Sequence, residues 1–115
     1  MGTGNCQGKD RKGEEMIIVM GEVRFGDGEI ERLKDALARN VESSRAEEGC
    51  VRYAYGADLG DPNLLLIAEA WRDQAALDAH NARIPELMAP LADADIRSIS
   101  IKAYEASFLQ NVMGD

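Results

Sequence analysis

A chain of 115 residues, of which 45% are hydrophobic and 30% charged, is long enough for one compact domain with a modest core but too short for two. The net charge of −8 at pH 7 argues against a nucleic-acid or anionic-membrane partner, because phosphate contacts need clustered Lys and Arg. Cys6 and Cys50 have neither a metal-binding nor a redox spacing, and no apolar run reaches the roughly 18 residues of a membrane span, so we expect a cytoplasmic setting.

The first fifteen residues are polar, rich in glycine and without hydrophobic periodicity. Their charged side chains cancel, so the whole net charge belongs to the rest of the chain: Lys9, Arg11 and Lys12 against Asp10, Glu14 and Glu15. This composition predicts a disordered extension over residues 1–15, either native or added for expression.

Alternating and helical hydrophobic patterns follow one another from Met16 onwards. They predict, in chain order, a strand over 16–25, a helix over 27–48, strands over 50–59 and 64–71, a helix from 73 to about 84, further helical turns from Pro85, and a strand over 96–106. Asp27 and Asp73 are good N-caps for the two helices, and Gly49 is the expected stop of the first. Turn residues over 58–63 predict a hairpin between the middle strands.

The order β-α-β-β-α-β predicts a ferredoxin-like α+β domain over residues 16–107, an antiparallel sheet with both helices on one face. Several strands are apolar on the other face as well, which is a liability for a lone sheet. Symmetric pairing is the commonest remedy, so we expect a homodimer formed through the sheet. In the tail over 108–115, Phe108, Leu109 and Val112 are too apolar to be left in water.

The stretch from Leu64 to His80 runs from a strand directly into a helix, with the only tryptophan and the only histidine on either side of the corner. Because successive strand side chains alternate, Ile67, Glu69 and Trp71 share one face. His80 lies on the apolar face of the helix that follows. If this helix packs on the sheet, Glu69, Trp71 and His80 converge on one pocket.

Together these residues resemble the antibiotic-biosynthesis monooxygenase family, which includes small quinol monooxygenases. The matching motif covers the middle of the chain: Ser44, Arg45, Glu48, Gly49, Cys50, Tyr53, Asp61, Pro62, Glu69, Trp71 and His80. The resemblance implies a dimeric α/β barrel with a pocket between sheet and helices. Some members oxidise aromatic polyketides or quinols with dioxygen and no metal or flavin, others bind and degrade haem, and many have no known activity. Haem-degrading members carry an Asn on the first strand, and this chain has none over 16–25.

His80 is the candidate general base, since its near-neutral titration suits removal of a phenolic proton from a hydroquinone. Glu69 is the candidate carboxylate that orients and charge-stabilises His80. Both residues also have structural interpretations. A histidine on an apolar face is commonly a hydrogen-bonded core residue, and Glu69 can simply bind Arg72 or the backbone.

The remaining candidates are aromatic. Trp71 can stack on a planar substrate as a pocket wall, and Tyr53 and Tyr55 can donate hydrogen bonds to a bound carbonyl, although core packing and strand alternation account for all three without function. Strand alternation also predicts that Val51 lies on the same strand face as Tyr53 and Tyr55. Cys50 is a small buried residue rather than a nucleophile.

The leading hypothesis is a cofactor-independent monooxygenase that oxidises a hydroquinone or polycyclic phenol with dioxygen, needing no metal or nucleotide cofactor. One alternative is a non-catalytic dimeric module that binds a small ligand or serves in a stress response. Another is a haem-binding homologue with His80 as axial ligand. One fold hosts many functions, so the fold alone does not choose among them.

Overall fold

The structure is a computed structural model that describes residues 15–115. Its elements, in chain order, are β1 (Glu15–Phe25), α1 (Glu29–Arg32), α2 (Lys34–Arg45), β2 (Cys50–Asp58), β3 (Asp61–Trp71), α3 (Gln74–Asn81), α4 (Ile84–Met88), a 3-10 turn (Ala89–Leu91) and β4 (Ile96–Ser107). Of the predicted extension over 1–15, residues 1–14 lie outside the described residues. Glu15 is already part of β1.

The four strands form one antiparallel sheet in the order β2-β3-β1-β4. The helices cover one face of this sheet, so the predicted ferredoxin-like fold is confirmed. In the central pair, Ile17 lies opposite Trp71 and Val19 opposite Glu69. The helix-facing side of β3 therefore carries both Glu69 and Trp71, as strand alternation predicts.

The connection between β2 and β3 is shorter than predicted. The strands end and begin at Asp58 and Asp61, and the Asp58 carboxylate accepts a hydrogen bond from the Gly60 N–H at 2.8 Å. This side-chain bond stabilises a two-residue turn, which lets β3 begin three residues before the predicted start at Leu64. The predicted hairpin is confirmed, but its turn consists of Leu59 and Gly60 rather than of all of 58–63.

The first predicted helix is divided in two. Gly28 precedes α1 in a left-handed conformation (φ 77°), and a bend at Leu33 separates α1 from α2 and leaves the Leu33 side chain in the core. Asp27 is not the N-cap, because its carboxylate instead accepts a hydrogen bond from Asn63 Nδ2 at 2.6 Å. The helix also ends at Arg45, before the predicted Glu48. The predicted N-cap and the predicted last residue of this helix are therefore both wrong.

The second predicted helix begins as expected. Asp73 accepts a hydrogen bond from the Ala76 N–H at 2.9 Å, which confirms it as the N-cap of α3. Ala76, Leu77 and His80 are buried on the face of α3 that meets the sheet. The helix ends before Ile84, where a separate short helix begins.

A bulge at the start of β2 changes which side chains face the core. Cys50 lies opposite Trp71 and Arg52 opposite Ala70, so Val51 is an extra residue without a partner on β3. As a result Cys50 packs against the core, while Val51 is 58% exposed. The prediction that Val51 shares a face with Tyr53 and Tyr55 is wrong for this reason.

The core between sheet and helices consists of two apolar clusters. The first surrounds Phe25, Leu37 and Ile67, and the second surrounds Trp71 and Leu77. Residues 15–115 of a single chain leave the opposite face of the sheet uncovered. No helix within residues 15–115 is long and apolar enough to cross a membrane.

The apolar side chains left exposed lie mainly on that uncovered face, on β4 and in the tail after it. Met20 is 61% exposed on the outer face of the sheet, and Tyr104 of β4 is 50% exposed. In the tail, Phe108, Leu109, Val112 and Met113 are exposed as well. The expectation that the apolar tail is shielded from water is therefore not met within one chain.

Candidate functional site

A cavity of about 530 Å³ lies between the sheet and the helices, where the two apolar clusters meet. Ile67 lines it from the first cluster and Leu77 from the second. Its polar and aromatic lining includes four of the predicted site residues: Tyr53, Tyr55, Glu69 and His80. The sheet supplies the first three of these, and α3 supplies the fourth.

A second concavity of about 790 Å³ lies on the outer side of α2, against β2. It is larger and more open to solvent, and its charged lining residues, such as Glu31, Lys34 and Glu42, belong to helix surfaces. Of the predicted site residues only Tyr55 reaches it. Volume alone therefore favours this groove, but the titratable side chains that can carry out chemistry converge on the smaller cavity.

His80 is 3% exposed and makes contacts through both ring nitrogens and the ring face. Nδ1 lies 3.0 Å from Glu47 Oε2, and Nε2 lies 3.5 Å from the Tyr53 hydroxyl. The imidazole packs on the Trp71 indole, with ring centres 4.8 Å apart and planes inclined by 32°. The ring is thus fixed in position, with Nε2 on the cavity side near Tyr53.

Glu69 lies on β3 in the wall of the cavity, 7% exposed. Its Oε1 accepts a hydrogen bond from Trp71 Nε1 at 2.9 Å. Burial raises the pKa of the Glu69 carboxyl, and the Trp71 hydrogen bond offsets only part of this rise. The carboxylate in hydrogen-bond contact with His80 is Glu47, and the role of Glu69 towards His80 stays a prediction.

Trp71 lies behind the cavity rather than in its wall. Its side chain is fully buried and packs against both His80 and Tyr53, with ring-centre distances of 4.8 Å and 6.2 Å. A side chain with no exposed surface cannot stack on a substrate without moving. Trp71 contacts both Glu69 and His80 from behind the cavity, and its role in binding a substrate stays a prediction.

Tyr53 and Tyr55 present their hydroxyls to the cavity, 3.1 Å apart. Burial raises the pKa of both phenols, so both are protonated at neutral pH and available as hydrogen-bond donors. The backbone of β2 is held to α2 at this point, because Arg45 Nε donates to the Tyr53 carbonyl at 2.8 Å.

Glu47 was not among the site residues predicted from the sequence. It lies in the turn between α2 and β2, and its carboxylate also forms an ion pair with Arg83, which follows α3. Glu47 and Glu48 are adjacent and chemically identical, and no sequence pattern separates them. The difference is structural: the Glu47 side chain is 14% exposed and turned inward, whereas that of Glu48 is 88% exposed.

The turn that carries Glu47 depends on Gly49. This residue has a φ of 84°, which side-chain-bearing residues rarely adopt, and a Cβ at this position would lie 2.5 Å from the Ala76 Cβ. The glycine therefore allows the turn to lie directly against the start of α3. That close approach brings Glu47 and His80 within hydrogen-bond distance.

The outer wall of the cavity comes from the edge strand β4, through Ile101 and its neighbours. Ile101 lies opposite Gly21 of β1, and a Cβ at position 21 would be 2.8 Å from Ile101 Cγ1. The isoleucine side chain thus occupies the space that the glycine leaves empty.

Comparison with known proteins assigns this chain and its fold to a family. The family model described as Antibiotic biosynthesis monooxygenase matches residues 16–84, more than half of the chain. The Bacillus subtilis protein named "Putative monooxygenase YcnE" is 30% identical over 66 residues, which are 57% of this chain and 70% of YcnE. The uncharacterized protein sll1783 of Synechocystis is 34% identical over 73 residues, 63% of this chain. That match covers only 50% of sll1783, so the chain spans about half the length of this relative.

Solved structures agree with the sequence match. A crystal structure from Deinococcus radiodurans, described as a "putative antibiotic biosynthesis monooxygenase", has a TM-score of 0.78 at 29% identity and covers 86% of this chain and 100% of that one. PA3566 from Pseudomonas aeruginosa has a TM-score of 0.68 at 27% identity, covering 84% and 97%. The chain therefore belongs to the antibiotic biosynthesis monooxygenase family.

Proposed function

We propose that this protein is a monooxygenase that oxidises a hydroquinone or polycyclic phenol with dioxygen, without a cofactor, and that His80 is the general base. The observation that carries the proposal is the position of His80 Nε2 at the edge of a largely apolar cavity, next to two protonated phenols. Family membership supports the reaction class. The lining supports this choice of substrate class, because it suits a flat, weakly polar ring bearing hydroxyl groups.

The chemistry needs only what such a site provides. A hydroquinone with an unsubstituted ring position reacts with dioxygen to give a hydroxyquinone and water. One oxygen atom enters the ring, the other leaves as water, and the substrate supplies all four electrons. Removal of the phenolic proton by His80 makes the ring electron-rich enough to reduce oxygen, and the apolar walls exclude water from the intermediate.

The other cavity residues would position the ring. Tyr53 and Tyr55 donate hydrogen bonds to a substrate oxygen, and Glu69 accepts one from a second substrate hydroxyl or donates when protonated. Trp71 acts indirectly, by supporting Glu69 and His80 from behind.

The proposal is tested by oxygen uptake with a panel of hydroquinones and polycyclic phenols. His80→Gln preserves much of the side-chain volume and removes the base, so we expect turnover to fall by ~10²–10⁴. The control is Asp78→Asn, on the exposed face of the same helix. Turnover should stay within about twofold, because the Asp78 carboxylate is at the surface, where it accepts a hydrogen bond from Gln74.

Other outcomes would contradict the proposal. Turnover unchanged in His80→Gln would remove His80 as the base. A Soret band on titration with haem, without oxygen uptake on any phenol, would favour haem binding instead. No response in either assay would favour a non-catalytic binding module.

The proposal extends to a homodimer formed through the uncovered face of the sheet. Exposed apolar side chains on that face, such as Met20 and Leu66, and the apolar tail after β4 are what a second copy would cover. We expect sedimentation equilibrium to give twice the chain mass of 12.6 kDa, and Met20→Glu to shift the protein towards monomer. Leu59→Glu, in the fully exposed β2–β3 turn, is the matched control and should remain dimeric. A wild-type monomer at micromolar concentration would refute this part.

A further inference from the structure

Hydrogen bonds fix both the backbone and the side chain of Glu47. Its backbone N–H donates to the Ser44 carbonyl at 3.1 Å, and its carbonyl accepts from the Cys50 N–H at 3.2 Å. The side chain is turned inward beneath α3, where Oε2 meets both His80 Nδ1 and Arg83 Nη1. A largely buried carboxylate fixed at both backbone and side chain suggests a function beyond surface solvation.

The donors and acceptors around Glu47 permit one assignment of protons. A guanidinium can only donate, so Arg83 donates to the Glu47 carboxylate, and its other terminal nitrogen donates to Ser43 Oγ at 2.6 Å. An ion-paired carboxylate can only accept. His80 Nδ1, 3.0 Å away, must therefore carry a hydrogen.

We infer that Glu47, clamped by Arg83, is a positioning residue that holds neutral His80 as the Nδ1–H tautomer and leaves the Nε2 lone pair facing the cavity. The catalytic consequence rests on the proposed function, but the tautomer does not. Tyr53 does not oppose this arrangement, because its hydroxyl is 3.1 Å from Tyr55 and a long 3.5 Å from Nε2.

The tautomer decides whether His80 can act as a base. In water the neutral histidine side chain favours the Nε2–H form, in which the nitrogen facing the cavity carries a hydrogen and cannot accept one. A carboxylate at Nδ1 reverses this preference. In serine proteases, replacing the equivalent orienting carboxylate by an amide lowers kcat by ~10⁴ through the wrong tautomer.

Glu69 cannot substitute for Glu47 in this role. Its hydrogen-bond partner in the described part of the chain is Trp71, and burial raises its pKa, which favours the protonated form. The sequence predicted that Glu69 orients His80. We infer instead that Glu47, 33 residues before the histidine, has this role.

The chain contains one histidine, so its imidazole nitrogens can be assigned without ambiguity. Long-range ¹H–¹⁵N correlation spectra of the full chain, recorded at a pH where the ring is neutral, should show the Nδ1–H pattern. An Nε2–H pattern in the wild-type protein would overturn the inference, with no substitution required.

The variant Glu47→Leu tests the cause, because leucine fills similar space and cannot accept a hydrogen bond. We expect its spectrum to change to the Nε2–H pattern, whereas Glu48→Leu, at the exposed neighbouring glutamate, should keep the wild-type pattern. Where Glu47→Leu does not fold, as judged by circular dichroism, Glu47→Ala replaces it. Retention of Nδ1–H in the folded variant would show that Glu47 does not set the tautomer.

Activity separates this inference from the proposed function. If a hydroquinone is oxidised, Glu47→Leu should lower kcat by ~10²–10⁴ with KM changed little, and Glu48→Leu should match the wild type. If no phenol is oxidised but the spectra behave as expected, the proposed reaction fails while Glu47 remains the residue that fixes the tautomer. A changed tautomer with undiminished kcat would overturn the positioning role.

Discussion

Replacing Trp71 by phenylalanine tests whether this side chain supports the site from behind or contacts a ligand. Phenylalanine keeps an aromatic ring in the same place but lacks the N–H that binds Glu69. The Trp71 side chain is fully buried, so all the contacts that the substitution removes are contacts with the protein interior. As a support, Trp71→Phe should reduce stability; as a ligand contact, it should chiefly reduce ligand affinity.

The magnitude follows from two losses. The hydrogen bond from Trp71 Nε1 to Glu69 contributes ~1 kcal/mol when the carboxyl is protonated and up to ~3 kcal/mol when it is ionised. Going from indole to benzene removes roughly three ring atoms, worth ~2 kcal/mol of burial. The free energy of unfolding should therefore fall by ~3–5 kcal/mol, which a domain of ordinary stability survives.

The assay is urea denaturation followed by circular dichroism at fixed protein concentration, because Trp71 is the only tryptophan and a dimer would make stability concentration-dependent. A double-mutant cycle with Glu69→Leu, which cannot accept the Trp71 hydrogen bond, isolates the pair, and we expect a coupling energy of ~1–2 kcal/mol. A loss below ~1 kcal/mol, or a coupling near zero, would refute the view of Trp71 as the support of Glu69.

Two further predictions concern Glu69 and the turn at Gly49. Because burial raises the pKa of Glu69 in the fold, its contribution to stability is complete below the unfolded value near 4.5 and is lost as the pH rises through the folded value. The unfolding free energy of Glu69→Gln minus that of the wild type should thus increase from about pH 4 towards about pH 8, and a flat difference would contradict the shift. Gly49→Ala should lower the free energy of unfolding by ~1–3 kcal/mol, because Gly49 has a positive φ and an added Cβ would lie 2.5 Å from Ala76. The control is Gly56→Ala, which has open space around it and should lower the free energy of unfolding by less than ~1 kcal/mol. Thermal melts of both variants measure the difference.

Sequence patterns correctly predicted the structural features that depend on residues close together in the chain. Alternation placed Glu69 and Trp71 on one face of a strand, and the cap at Asp73 was correct because its hydrogen-bond partner, the Ala76 N–H, is three residues away. The face of α3 that buries His80 followed from helical spacing alone. These features are local, so the sequence contains all the information they need.

What failed depends on residues distant in the chain. The side chain of Asp27 binds Asn63, 36 positions away, instead of capping its own helix. Glu47 reaches His80 only because a glycine turn lies against α3, and nothing in the local sequence distinguishes it from Glu48. The bulge at Val51 likewise arises from the pairing of two strands rather than from either strand alone.

Gly21 influences the size of the cavity, although it is not one of the residues that line the cavity. The residue is in the middle of the central strand and Ile101 rests over it, so any side chain added at position 21 must push Ile101. Since Ile101 forms part of the cavity wall, the displacement is passed on to the space where a ligand would lie. The size of ligand that the cavity can admit can therefore be altered by a substitution at position 21, which is not part of the lining, while His80, Glu69 and the tyrosines stay unchanged.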